Sequence, residues 1–296
     1  MKTQQAHSPR VEDTVAPGPG PRLGPVLWLN LVCLDAPLVA VAWLWLFART
    51  FRIPLQLGNG AALFLTAWLI YLGDRLADSA WLEPAGPQSI RQQFCRRHRV
   101  IWISMIALIA GFDAHIIWRS TTLETFLVGA VVGGLALIYL VLNHPLGLIW
   151  RSLPAKELVI GLLFAAGTLV ALLPALKSVN VTFAVPAVFF AALCALNCIS
   201  IACWEHDLDR AQQKVSIATR HPGIARRSGL IALSLGVASL VMATVLPPAA
   251  PLFACVGASA FLLAWVNSQP VDTDGRTALA DLVLLTPIFP MIAAAL

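Results

Sequence analysis

Charge is the scarcest property of this sequence. Asp, Glu, Lys and Arg make up 12% of its 296 residues; a soluble domain of this size carries about twice that share. The apolar segments also lack alternation of apolar with polar residues, which excludes a closed β-barrel. Paired cysteines are missing too. Cys33, Cys95, Cys194, Cys198, Cys203 and Cys255 include no CxxC pair, and no nearby His completes a zinc site. They are expected as small buried apolar residues. No secretory signal peptide is recognisable. Residues 1–24 are polar and rich in Pro and Gly, and are expected to form a disordered cytoplasmic tail. The net charge of +5 does not point to nucleic acid, because the basic residues sit between apolar segments.

What the sequence has instead is apolar length. Hydrophobic residues make up 58% and the mean hydropathy is +0.79. One soluble core cannot hide so much apolar surface, so lipid must cover part of it. A bilayer core takes roughly 20 apolar helical residues. Nine candidate spans follow, near 25–48, 59–78, 100–118, 122–142, 157–176, 182–204, 229–247, 249–267 and 278–296. The expectation is an all-α polytopic membrane protein with nine transmembrane helices over residues 25–296. Short connections make 100–142 and 229–267 read as helical hairpins.

Lys and Arg give the bundle a direction. With the tail in the cytoplasm, sixteen of the 20 fall on that side and four, Arg49, Arg52, Arg119 and Lys177, on the other. This positive-inside bias predicts a cytoplasmic N-terminus and a C-terminus across the membrane; the membrane itself is expected to be a bacterial inner membrane. The two longest loops, 79–99 and 205–228, then share the cytoplasmic face.

Each of these loops opens on an acidic pair. The second segment ends Tyr71-Leu-Gly-Asp74-Arg75-Leu-Ala-Asp78, and the sixth ends Cys203-Trp-Glu205-His206-Asp207-Leu-Asp209. Asp74 with Asp78, and Glu205 with Asp209, are spaced i, i+4, so each pair points from one helical face. Asn197 lies two further steps of four back on the second stripe. Like carboxylates this close repel unless a cation lies among them. All-oxygen ligands suit Mg²⁺, which takes one or two carboxylates, waters and substrate phosphates. Basic residues nearby would bind phosphate oxygens. Acidic pairs, Mg²⁺, a basic rim and an apolar cavity together fit a lipid diphosphate.

These features resemble the UbiA-type superfamily of intramembrane prenyltransferases. That family has nine spans and two aspartate-rich motifs after its second and sixth helices. Asp74 and Asp78 match an N-x-x-x-D-x-x-x-D motif in which Ile70 replaces the Asn. Glu205 and Asp209 match D-x-x-x-D with Glu for the first Asp. Lys156-Glu157-Leu-Val-Ile-Gly161-Leu-Leu-Phe164 resembles the family's fifth helix, and Asp35-Ala-Pro37 a polar residue before proline in its first. The family's Y-x-x-x-K and R-T-x-x-R-P motifs are missing. Arg151 or Lys156, and the stretch from Arg91 to Arg99, stand in their place. The resemblance implies transfer of an isoprenoid chain from a prenyl diphosphate to a hydrophobic aromatic or lipid acceptor. It casts Asp74, Asp78, Glu205 and Asp209 as metal-binding catalytic residues. Arg91, Arg97, Arg151 and Lys156 become diphosphate ligands, and Asn197 and Asp35 cavity residues. Two alternatives stay open: a secondary transporter or lipid carrier, and a family member that binds prenyl lipids without catalysis. Asp113, His115 and Asp281 are expected at interfaces or in structural roles.

Overall fold

The computed structural model describes residues 24–80, 82, 86–143, 156–176 and 180–295. The tail expected over 1–24, apart from residue 24, and the candidate ligand Arg151 lie outside these residues. Among the described residues every regular element is helical. In chain order they are α1 (Pro25–Leu31), α2 (Asp35–Thr50), α3 (Leu57–Ala80), α4 (Ile90–Arg97), α5 (Arg99–Ser120), α6 (Leu123–Asn143), α7 (Lys156–Leu169), α8 (Val181–Trp204), α9 (His206–Ala211), α10 (Ile217–Arg220), α11 (Gly223–Val245), α12 (Ala250–Ser268), α13 (Thr273–Leu282) and α14 (Ile288–Ala295).

Seven stretches among these residues are long and apolar enough to cross a membrane, or eight if α1 and α2 form one bent span. Their length and apolarity mark the chain as an integral membrane protein. The sequence leads one to expect nine spans, and two departures reduce the count. The first span is broken. α1 meets α2 at 92°, with Cys33 at φ 57 in the turn. Asn30 Nδ2 bridges the break to Asp35 Oδ2 at 2.6 Å, and Asp35 Oδ1 accepts from the Ala36 N–H at 2.9 Å. Pro37 is therefore no kink inside a helix. It stands in the first turn of α2, where its missing N–H costs nothing. The second departure is α7, which has 14 residues and ends at Leu169 in a turn and a 3-10 segment at Leu173–Ala175. At 1.5 Å per residue it covers about 21 Å of a roughly 30 Å core.

α2 is the central post. Trp43 stacks on Phe190 of α8 with centroids 4.4 Å apart, and Phe47, Leu193 and Phe253 are fully buried beside them. Trp43 Nε1 donates to the Leu284 carbonyl at 2.8 Å, which satisfies an acceptor where the last span breaks between α13 and α14. α11 and α12 form the expected hairpin over a short 3-10 turn at Pro247–Ala249. α5 and α6 do not. After their tight turn they separate, α5 against α3 and α6 against α7. Their outer faces carry exposed Ile101, Leu108, Phe112, Leu127, Val131 and Leu135, a surface suited to lipid. The space left between α3 and α6 is the cavity described next.

Candidate functional site

A cavity of about 890 Å³ lies among α3, α6, α7 and α8, within the roughly 300–1,000 Å³ range of small-molecule sites. Its walls run along α3 from Asn59 to Asp78, a rise of about 28 Å. Ala62, Leu63, Ile70, Gly133, Ala136 and Phe164 make its length apolar. Its mouth is charged. Five carboxyls (Asp74, Asp78, Glu157, Glu205, Asp209) and four cations (Arg75, Arg91, Lys156, Lys214) line it, a formal balance of −1.

Helical spacing places the two acidic pairs. Asp74 and Asp78 are successive turns of the last part of α3, on the face that also presents Ile70 and Ala67 to the cavity. Glu205 ends α8 and Asp209 lies one turn on in α9, so the pair continues the stripe that carries Asn197 and Ile201. The two long loops close over this end. Ser89 and Gln92 form a capping box that starts α4, and Gln212 Nε2 donates to Gln92 Oε1 and to the Pro87 carbonyl, both at 2.9 Å. Gln213 takes a left-handed φ of 56, rare for a residue with a side chain. The turn it makes returns the chain so that Lys214 Nζ lies 3.1 Å from Asp78 Oδ2. That contact ties the first motif to the second loop. The converse tie is Arg91 Nη2 on Glu205 Oε1, an ion pair that links the first loop to the second motif. Thr277 of α13 adds a hydroxyl to the same oxygen at 3.3 Å.

Burial tunes the groups in the loops. It lowers Arg91 to about 10, helped by the neighbouring Arg75 charge, so Arg91 stays protonated at neutral pH. Burial also raises the Asp209 carboxyl above the usual carboxylate range, against the opposing pull of Lys156, Ser216 and Lys214.

The cavity thus gathers Asp74, Asp78, Arg91, Lys156, Asn197, Glu205 and Asp209. It does not gather Arg97 or Asp35. Arg97 is exposed on α4, about 120° round that helix from buried Arg91, because six residues separate them. Asp35 is buried behind the wall against Asn30 and Asp281. Two expectations about lone acids also change. Asp281 is a wall residue, with Oδ1 accepting from Asn197 Nδ2 at 2.9 Å. Asp113 is buried rather than interfacial, and accepts from Thr66 Oγ1 at 2.7 Å between α5 and α3.

Glu157 was missed because it reads as the first residue of an apolar helix. It is 2% exposed, and its Oε1 accepts the Ile217 N–H at 3.1 Å, which docks α10 on the cavity mouth. Among the described residues, five buried polar atoms of cavity-lining residues have no partner: Asn59 Oδ1, Arg91 Nε, Thr121 Oγ1, Glu157 Oε2 and Asn197 Oδ1. Buried polar atoms are normally satisfied, and five of the ten exceptions among the described residues belong to the lining of this cavity.

No three His, Cys, Asp or Glu side chains among the described residues converge tightly enough to cage a metal ion. What the mouth offers is two carboxylate pairs, each with one member already paired to a cation, Asp78 to Lys214 and Glu205 to Arg91. That set suits an ion that keeps waters and takes its remaining ligands from a substrate.

Fold and site together define an all-helical integral membrane protein with a charged-mouthed apolar cavity. Compared with known proteins, the chain matches no family model, no curated protein and no solved structure.

Proposed function

We propose that the chain is a Mg²⁺-dependent prenyltransferase of the UbiA type, which moves an isoprenoid chain from a prenyl diphosphate to a hydrophobic acceptor inside the membrane. The observation that carries this reading is the cavity: an apolar slot nearly as long as a bilayer core is thick, with both acidic pairs and four cations at one end. In this reading α1 with α2 is the first span and Lys156–Leu176 the fifth, which brings the count to nine. The charged mouth faces the cytoplasm, and the membrane is the bacterial inner membrane.

The residues divide the work by chemistry. The apolar walls between α3 and α6 hold the isoprenoid tail. The formal balance of −1 at the mouth gives a bare diphosphate no net attraction, so its binding is expected to need added cations. Asp74 with Asp78, and Glu205 with Asp209, would each hold one Mg²⁺. Bound there, Mg²⁺ supplies positive charge that makes diphosphate a better leaving group. The Arg91, Lys156 and Arg75 cations donate to the remaining oxygens. The allylic C–O bond breaks with its electron pair on the diphosphate, the acceptor forms the new bond to the allylic carbon, and the acceptor loses a proton. The Gln92–Gln212 and Glu157–Ile217 contacts keep both loops over the mouth, which excludes the water that would quench the allylic cation.

A second reading, prenyl-lipid binding without turnover, draws on a specific observation. Asp78 and Glu205 already have internal cations, Lys214 and Arg91. An isotope-labelled prenyl diphosphate with and without Mg²⁺ separates the readings. Diphosphate release marks the enzyme, binding alone marks the second reading, and neither leaves a transporter or carrier.

A further inference from the structure

Arg97 does not reach the cavity, so its place on α4 needs another account. α4 is two-faced. Arg91, Gln92 and Cys95 are buried under it, whereas Arg96 and Arg97 are exposed, and exposed Arg99 opens α5 just beyond the joint at His98. Three guanidinium groups thus fall within four residues. Between residues 86 and 112 the sequence has no Asp or Glu to offset them. Among the described residues Arg97 and Arg99 take part in no ion pair.

The surface next to these cations is apolar. Val100 and Ile101 are 77% and 63% exposed, and exposed Leu108 and Phe112 continue the face of α5 that Ile101 begins. From 101 to 112 that face runs about 16 Å, which is about the depth of one leaflet of a roughly 30 Å core. α1 borders the patch on its other side. It turns 92° away from α2, and its half-exposed Trp28 meets Phe94 of α4 edge to face at 5.8 Å. Indoles settle at the level of lipid headgroups. An orientation signal needs only basic charge in a loop. Here the charge is fixed on a folded corner, with a leaflet-deep apolar face below it and an interfacial indole beside it.

We propose that this α4–α5 corner docks an anionic phospholipid. Its phosphate oxygens accept from the Arg97 and Arg99 guanidinium groups, and an acyl chain lies along Ile101 and Leu108. A lipid held there fastens the exposed face of α4 while the buried face keeps Arg91 on Glu205, and so steadies the first loop over the cavity mouth. The lipid site does not depend on the prenyltransferase reading.

The test uses the full chain purified in detergent. Dioleoyl phosphatidylglycerol or dioleoyl phosphatidylcholine is added, and bound lipid is counted by native mass spectrometry. The wild type is expected to bind its first phosphatidylglycerol about tenfold more tightly than phosphatidylcholine, or about 1.4 kcal/mol. Arg97→Gln with Arg99→Gln is expected to remove that preference, and Arg97→Lys with Arg99→Lys to keep most of it. Arg49→Gln with Arg52→Gln takes the same charge from the exposed far end of α2 and is expected to leave the preference intact. The thermal midpoint in phosphatidylcholine checks that each variant is folded; where the glutamine pair lowers it, the wild-type comparison and the lysine pair decide. Equal binding of the two lipids by the wild type, a preference that survives in the Arg97 and Arg99 glutamine pair or is lost in the lysine pair, or an equal loss in the Arg49 and Arg52 pair overturns the proposal. Displacement of phosphatidylglycerol by equimolar glycerol 3-phosphate also overturns it, since that marks a plain anion site.

Discussion

Replacing Arg91 by Met breaks a buried ion pair from one side and leaves Glu205 without its cation. The two side chains are 10% and 16% exposed, so water screens neither well. Breaking a pair of this burial costs about 3–5 kcal/mol, most of it the penalty of the charge left behind. Glu205 keeps the Thr277 hydroxyl, which points to the lower half of that range. Glu205→Met leaves Arg91 unpaired beside the Arg75 charge, and is expected to cost at least as much. Replacing both by Met removes both charges and keeps most of the volume, so the double variant is expected within about 1–2 kcal/mol of the wild type. The assay is a double-mutant cycle on protein in mixed micelles, with helicity followed as SDS is added and no divalent cation present. The expected interaction energy is about 2 kcal/mol or more. Single variants that each cost less than about 1 kcal/mol would be the behaviour of an exposed pair. They would refute the argument that the first loop is anchored to the second motif.

Three further outcomes follow from the same geometry. A Cβ at Gly161 would lie 2.4 Å from the Ala195 nitrogen and 2.5 Å from its Cα, backbone that cannot give way. Gly161→Ala is therefore expected to destabilise by about 1–3 kcal/mol, seen as a lower thermal midpoint. Gly133 lines the cavity with open space at its Cβ. Gly133→Phe is expected to fold normally and to shorten the longest prenyl diphosphate analogue that binds, read by competition across a chain-length series. Asp209 has its folded-state pKa raised by burial, so the folded protein holds that proton more tightly than the unfolded chain. The stability linked to it is present at acidic pH and lost as pH rises through the raised value. Without divalent cation, Asp209→Asn is expected to melt above the wild type at neutral pH, with the gap closing towards about pH 4.

Helical spacing made much of this architecture legible in the sequence. Asp74 with Asp78, and Glu205 with Asp209, are i, i+4 pairs, and all four reach one cavity because such spacing fixes a face. The same rule separates Arg91 from Arg97, which the sequence shows but which the density of basic residues in that loop obscured. Apolar run length identified most spans, yet it could not show where a run breaks. Residues 25–48 read as continuous, and the bend depends on Asn30 meeting Asp35 across four residues. Residues 158–176 are apolar but for Thr168, yet the helix stops at Leu169. Polar partners far apart in the chain were the least visible. Asp281 gains its role from Asn197, 84 residues away, and Asp113 is buried through Thr66 on another helix. Glu157 could have been flagged as an acid at the start of an apolar helix beside a candidate phosphate ligand.

The central claim is that the acidic pairs at the cavity mouth bind a prenyl diphosphate through Mg²⁺ and release its diphosphate. The direct measurement is diphosphate release from labelled geranylgeranyl diphosphate by the purified chain in native lipid extract, which supplies the acceptor, with Mg²⁺ or with EDTA. The account predicts release with Mg²⁺, none with EDTA, and none from folded Asp78→Ala or Asp209→Ala protein. Release that persists with EDTA, or in both variants, would contradict it.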